Sequence, residues 1–114
     1  MAVSEKTIQA EVQMAASQLG ARLFRNQVGQ YQLADGRWLS SGLCVGSSDL
    51  IGWKPVTITQ DMVGKTVAQF LAVEVKRPGQ KPSIEQRAFI AAVCASGGCA
   101  GVVTSQTELR QLFA

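Results

Sequence analysis

The sequence predicts a single α/β domain in which a mixed β-sheet is flanked by helices. Segments with helical spacing alternate with short β-like runs in the order helix, several strands, helix, strand, helix. Because a strand–helix–strand crossover is right-handed and joins parallel strands, the last strand should run parallel to the strand before the second helix. A chain of 114 residues, 46% hydrophobic and 17% charged, suits one globular domain over residues 1–114.

The first helix is predicted between an N-cap at Ser4 and a stop at Gly20. Its apolar residues keep helical spacing and form one face: Ile8, Val12, Ala15 and Leu19. Glu11 lies three residues after Ile8, which puts a carboxylate at the edge of that apolar face. The helix is therefore amphipathic, with one acidic side chain beside its apolar face.

Several β-like runs follow the first helix. They cover residues 22–26, 30–33, 38–40, 49–53, 56–59 and 66–76. Asp35 and Gly36 stand between two of these runs and predict a hairpin turn. The middle of the chain is therefore predicted to supply most of the sheet.

A second helix is predicted from Ser83 to about Ser96. Gln86 stands three residues after Ser83 and completes a capping box, and Gly97 and Gly98 end the helix. A buried strand over residues 99–104 and a short helix through residue 112 complete the prediction. Ser105 and Glu108 mark the start of that last helix.

A cytoplasmic location, without a membrane span, is expected. Residues 88–107 are uncharged and long enough to span a membrane, but glycines and serines interrupt them, so a helix and a buried strand fit better. Residues 1–6 lack the apolar core of a signal peptide. The three cysteines, Cys44, Cys94 and Cys99, form no paired motif and are predicted as small core residues in a reducing cytosol.

The absence of histidine narrows the available chemistry. It excludes Ser-His-Asp and Cys-His nucleophile systems, a histidine general base, and metal sites built on imidazole. Any catalysis must therefore use carboxylates, lysine, hydroxyls or thiols. A net charge of +3 and a pI near 9.0 fit a polyanionic partner.

Two acidic residues stand at the ends of strongly apolar runs. Glu74 and Lys76 share one face of the run that ends near residue 76, and Asp49 opens the run over residues 49–53. On adjacent strands, these two carboxylates would offer hard oxygen ligands to Mg²⁺, with the Val75 carbonyl as a further ligand. Such a site suits phosphodiester hydrolysis, with Lys76 orienting the attacking water or neutralising charge. A solvated Glu-Lys pair at a strand end is the structural alternative.

The candidate residues occur along the chain in a fixed order: Glu11, then Asp49 directly after Gly46-Ser47-Ser48, then Glu74 with Lys76, and then Gln86. This ordered set resembles the PD-(D/E)xK nuclease superfamily. Within it, the chain is most similar to the stand-alone, phage-like form of the viral-type replication-repair nuclease (VRR-NUC) domain. The resemblance implies a restriction-endonuclease-like fold, Mg²⁺ or Mn²⁺ ligated by Asp49 and Glu74, and a supporting metal-site carboxylate at Glu11.

The same resemblance implies roles, a substrate and a setting. Asp49, Glu74, Lys76 and Gln86 would be catalytic, although Gln86 is equally explained as a capping residue. Small members of the group resemble Holliday-junction resolvases and act as homodimers, so the expected substrate is branched DNA such as a four-way junction. The expected setting is phage DNA repair in the cytosol of the bacterial host.

Basic residues follow the candidate site directly and are predicted to meet DNA phosphates: Arg77, Lys81 and Arg87. Arg22, Arg25 and Arg37 extend the basic set without a predicted common face. One alternative function is a non-catalytic nucleic-acid-binding or assembly subunit that keeps the nuclease fold. A sequence-specific restriction or nicking enzyme ranks lower, because 114 residues leave little room for a separate recognition region.

Overall fold

The protein, described here by a computed structural model over residues 3–114, combines three α-helices with six short strands. Its contacts divide the chain between Lys54 and Pro55 into two compact units. Residues 1 and 2, which the predicted domain includes, lie outside the described part. The mixed α/β class predicted from the sequence is confirmed.

The first unit contains one helix and four strands: α1 (Glu5–Gln18), β1 (Arg22–Arg25), β2 (Gly29–Gln32), β3 (Trp38–Ser41) and β4 (Leu50–Trp53). The predicted cap is confirmed, because the Ser4 hydroxyl accepts a hydrogen bond from the Thr7 N–H at 3.1 Å. Gly20, at φ +86°, follows the helix end. Gln13 Nε2 donates to the Leu23 carbonyl at 3.1 Å, which ties α1 to β1.

The four strands of this unit form two antiparallel pairs. Strands β2 and β3 form the predicted hairpin, with Gly36 at φ +89° in its turn. Strands β1 and β4 pair with Leu23 opposite Gly52. A Cβ at Gly52 would overlap the Arg22 carbonyl, so this close approach of two backbones requires glycine.

The second unit contains a single 3-10 turn (Gln60–Met62), β5 (Leu71–Val75), α2 (Ile84–Ala95), β6 (Cys99–Val103) and α3 (Gln106–Phe113). Strands β5 and β6 are parallel, as the crossover through α2 predicts. Both α2 and α3 pack against β6. The most buried apolar side chains, Val93, Ala100 and Val103, lie on α2 and β6 and form a small core.

Both helix starts in the second unit are capped as predicted. Ser83 and Gln86 form the complete capping box of α2. At α3, the Ser105 hydroxyl accepts from the Glu108 N–H at 3.2 Å. The Glu108 carboxylate instead accepts from the hydroxyl and the backbone N–H of Thr104, at 2.6 and 2.5 Å. These two bonds, the hydroxyl first, lower the pKa of Glu108 below its ordinary value of 4.5.

Three sequence predictions are wrong. Residues 56–59 form no strand, because they pair with no other described segment and lie exposed. The run over residues 66–76 becomes a strand only at Leu71, since its partner β6 begins at Cys99 after the Gly97–Gly98 turn. Cys44 and Cys94 are exposed and Cys99 is half-buried, so the cysteines do not form the core.

None of the helices in the described residues is both long and apolar enough to cross a membrane.

Candidate functional site

The Glu74–Lys76 pair lies at the end of β5, on one face of the strand. Lys76 Nζ is 3.5 Å from Glu74 Oε1, and the two side chains are 16% and 30% exposed, respectively. The predicted shared face is therefore confirmed. The interaction is more sheltered than a surface ion pair, so both side chains are held in place more firmly than exposed partners would be.

Gln86 connects the start of α2 to this pair. Its Oε1 accepts from the Ser83 N–H at 2.8 Å, which is one half of the capping box. Its Nε2 donates to Glu74 Oε1 at 3.0 Å. The two interpretations left open by the sequence are thus compatible, because one amide caps the helix with its oxygen and holds the carboxylate with its nitrogen.

A pocket of about 360 Å³ opens between β5 and α2. Its lining joins the polar groups at the top of β5 to an apolar floor: Ala72, Val73, Glu74, Glu85, Gln86, Phe89 and Ile90. Glu85 gives this pocket a second carboxylate, which was not predicted from the sequence. An acidic residue in the first turn of a helix is favoured by the helix dipole alone. The sequence around Glu85 therefore gives no sign that this carboxylate lines a pocket.

The Val75 carbonyl lies on the open edge of β5. The Phe70 carbonyl accepts from the Cys99 N–H at 2.9 Å, and the Lys76 N–H donates to the Val103 carbonyl at 3.0 Å. The even-numbered residues of this segment therefore direct their backbone N–H and C=O groups toward β6. Odd-numbered residues, including Val75, direct theirs to the opposite edge. Within the unit formed by residues 55–114 no other strand pairs with that edge. The Val75 carbonyl is therefore directed away from the ladder, as a backbone ligand must be.

The chain turns sharply after Lys76. Pro78 and Gly79, with φ +84° at Gly79, form a β-turn closed by the Gln80 N–H, which donates to the Arg77 carbonyl at 3.0 Å. Three basic side chains around this turn are exposed and, in the described chain, form no ion pair with an acid: Arg77, Lys81 and Arg87. Their charges are available to a polyanion.

Asp49 and Glu11 lie in the other compact unit. Asp49 is exposed at the start of β4, and its carbonyl accepts from the Asn26 N–H at 2.8 Å. Glu11 is exposed on α1, about 200° around the helix from Gln9, which lines the same pocket as Asp49. Glu11 itself is not part of that pocket lining. Within this unit, the structure does not place Glu11 beside Asp49.

Asn26, which was not predicted from the sequence as a site residue, holds the loop that leads into Asp49. Its Nδ2 donates to the Ser47 hydroxyl at 2.7 Å and to the Ser48 carbonyl at 2.8 Å. Its Oδ1 accepts from the Leu43 N–H at 2.9 Å. Three side-chain bonds to one loop fix the approach to Asp49. In the sequence, Asn26 is only the polar residue after a strand, so no local signal distinguishes it.

The available ligands fit a hard divalent cation. The contacts of Glu74 with Gln86 and Lys76 both use Oε1, and within residues 3–114 its Oε2 accepts no hydrogen bond and forms no ion pair. Carboxylate and backbone oxygens are the ligands that Mg²⁺ and Mn²⁺ prefer, and Mg²⁺ usually takes one or two carboxylates. No three His, Cys, Asp or Glu side chains of the described chain group together as a larger metal site.

Comparison with known proteins gives one family. The model of the VRR-NUC domain matches residues 4–107, which is nearly the whole chain and spans both compact units. No curated protein and no solved structure gives a significant match. The matched segment contains every residue that the sequence predicts for the site.

Proposed function

The chain belongs to the VRR-NUC domain family, whose members are nucleases that act on DNA, and on that premise we propose a Mg²⁺- or Mn²⁺-dependent, structure-selective DNA endonuclease. The family fold is restriction-endonuclease-like, as the sequence predicts, and its nucleases are typically metal-dependent. We propose that residues 1–114 act as one nuclease domain. The observation that carries the proposal is the Glu74, Lys76 and Gln86 cluster at the end of β5.

Three oxygen donors would hold the cation: the carboxylates of Asp49 and Glu74 and the carbonyl of Val75. When bound, Mg²⁺ or Mn²⁺ polarises the scissile phosphate and acidifies the attacking water. Gln86 keeps Glu74 oriented through the 3.0 Å bond to Oε1, which leaves Oε2 for the ligand role. Glu11 is proposed as a supporting carboxylate of the same site.

Lys76 supplies a positive charge next to the ligand carboxylate. With its ammonium 3.5 Å from Glu74, it can neutralise charge that develops on the phosphate oxygens or orient the attacking water. Its side chain is only 16% exposed, so solvent screens this charge less than it screens an exposed lysine. Since the chain lacks histidine, an imidazole cannot take this role.

Arg77, Lys81 and Arg87 are proposed to bind the phosphates that flank the cut. They are exposed and follow Lys76 within one turn and the start of α2. Contacts to phosphates position a duplex without reading its sequence. This arrangement suits selection by DNA shape, and we propose branched DNA, such as a four-way junction, as the substrate.

We further propose a homodimer as the active form. A junction resolvase must cut two strands, and two copies of a small domain supply two active sites. The resemblance of small family members to Holliday-junction resolvases is the basis of this proposal. DNA repair in a phage-infected bacterial cytosol is the proposed setting.

The test is cleavage of end-labelled four-way junction, linear duplex and single-stranded DNA, each with Mg²⁺, Mn²⁺ or EDTA. We expect metal-dependent cuts in the junction, and loss of at least 100-fold in rate for Glu74→Gln, because a metal ligand is removed. Glu85→Gln is the matched control, since it removes an equal charge from the same pocket and should stay within threefold of the unmodified protein.

Three results would contradict the proposal. Cleavage that persists in EDTA rules out the metal mechanism. Activity that survives Glu74→Gln, or is lost in Glu85→Gln, contradicts the assigned ligands. Salt-sensitive DNA binding without any metal-dependent product would instead identify a binding subunit that keeps the nuclease fold.

A further inference from the structure

A second pocket, of about 370 Å³, lies in the unit formed by residues 3–54. It opens between the first turns of α1, the end of β1 and the loop before β4. Eight of its nine lining residues are polar or charged, among them Lys6, Gln9, Arg25, Gln27 and Asp49. Its volume falls in the range of roughly 300 to 1,000 Å³ that is usual for ligand pockets.

Four side chains of this pocket are hydrogen-bond donors without an internal partner. Within the described chain, the side chains of Lys6, Gln9, Arg25 and Gln27 form no hydrogen bond and no ion pair. An arginine, a lysine and two amides converge on the walls of one cavity. Such a donor set matches a group rich in acceptor oxygens, as a phosphodiester and its sugar are.

The opposite wall of the pocket is held in place. Asn26 donates to Ser47 at 2.7 Å, and Ser47 in turn donates to the Cys44 carbonyl at 2.6 Å. Asp49 follows this loop and contributes to the same lining. The pocket therefore combines a fixed wall, which ends in a proposed metal ligand, with a set of unpaired donors.

We propose that this pocket binds one sugar–phosphate unit of the DNA strand that is to be cut. Arg25 and Lys6 contact the phosphate, and the amides of Gln9 and Gln27 contact the sugar or base. The lining also contains two acids, Glu5 and Asp49, which balance the two bases. The inference rests on the proposed function, because a divalent cation at Asp49 would offset that carboxylate and leave the pocket positive.

The test is equilibrium binding of fluorescein-labelled junction DNA in Ca²⁺ from 50 to 200 mM salt. For Arg25→Gln we expect roughly 5- to 20-fold weaker binding and a decrease of about 1 in the slope of log K against log salt, which indicates one lost phosphate contact. Lys6→Gln should act in the same direction. Arg25 is exposed, so its replacement should leave the melting temperature unchanged.

Arg37→Gln is the matched control. It removes an equal charge from the same unit, but Arg37 lies outside the pocket and already pairs with Asp35 at 2.7 Å. If the Arg25 and Arg37 variants show the same affinity and the same slope, the pocket proposal is overturned.

Two further measurements separate the possible sources of failure. If the unmodified protein cuts no DNA while Arg25→Gln still loses one phosphate contact, the proposed function fails and the pocket stands. Calorimetry with a deoxynucleoside monophosphate distinguishes a free nucleotide from a strand. Tight binding that Arg25→Gln abolishes, without any effect on junction binding, would overturn the assignment to DNA.

Discussion

Gln86 is expected to serve both the helix and the site, and two substitutions separate these roles. Ser83→Ala removes the hydroxyl that accepts from the Gln86 N–H, but keeps the Gln86 amide and its bond to Glu74. Gln86→Ala removes the other half of the capping box together with the bond to Glu74. The two variants therefore share the capping defect and differ in their effect on the carboxylate.

The contacts give the expected magnitudes. Loss of either half of the cap should cost about 1 kcal/mol of unfolding free energy, or about 4 °C in Tm for a chain of this size. A hydrogen bond to a charged group contributes about 1.5 to 3 kcal/mol. Because Glu74 is 30% exposed, we expect the lower end, about 1.5 kcal/mol, which corresponds to about a tenfold decrease in kcat/KM.

The assay is junction cleavage well below both melting temperatures, together with thermal unfolding. Ser83→Ala should lose stability and stay within threefold of the unmodified kcat/KM. Gln86→Ala should lose stability and about tenfold in kcat/KM. Equal losses of kcat/KM in the two variants would show that Gln86 acts only as a cap, and an unchanged kcat/KM in Gln86→Ala would refute its contact with a working carboxylate.

Two further predictions concern pH and packing. Because hydrogen bonds from Thr104 lower the pKa of Glu108 in the folded state, the ionised Glu108 carboxylate stabilises the fold above about pH 4.5, and this stabilisation is lost as the pH falls through the lowered pKa. The Tm difference between the unmodified protein and Glu108→Gln should therefore vanish at acid pH. A Tm difference that stays constant with pH would contradict this. Gly52→Ala should lower the free energy of unfolding, measured in urea, by about 2 kcal/mol or more, because the added Cβ would overlap the Arg22 carbonyl. At Gly29 an added Cβ meets only ordinary contacts, so Gly29→Ala should lower it by less than about 1 kcal/mol. Equal losses in the two variants would contradict the close approach at Gly52.

The helices were predictable because their signals are local. A cap at Ser4, a capping box at Ser83 and a glycine stop at Gly97 act within a few residues, and all three operate as expected. The parallel pairing of β5 and β6 followed from the handedness of the crossover. Helix-capping signals and the right-handedness of the crossover were thus enough to predict the helices and the parallel strand pair.

The strands were predicted less well because a strand needs a partner. Residues 56–59 have the alternating pattern of a strand, but no described segment pairs with them. Strand β5 begins at Leu71 and not at residue 66, because the ladder starts with the bond from Cys99 to Phe70. The length of a strand is set by its neighbour, which no window of sequence contains.

The part of the site that lies on a single strand was predictable from the sequence. The contacts that need two elements to pack together were not. The common face of Glu74 and Lys76 follows from the two-residue period of a strand, and the 3.5 Å contact confirms it. The contact of Gln86 with Glu74 requires α2 to pack on β5. The role of Asn26 requires a loop to fold back over twenty residues, which leaves no local pattern.

The most direct test of the proposed metal site is the anomalous density of a crystal soaked in Mn²⁺. We predict one strong peak about 2.1 Å from carboxylate oxygens of both Asp49 and Glu74, with the Val75 carbonyl as a further ligand. The peak should disappear in Glu74→Ala. A peak bound by Glu85 without Asp49, or no peak at saturating Mn²⁺, would contradict the assignment.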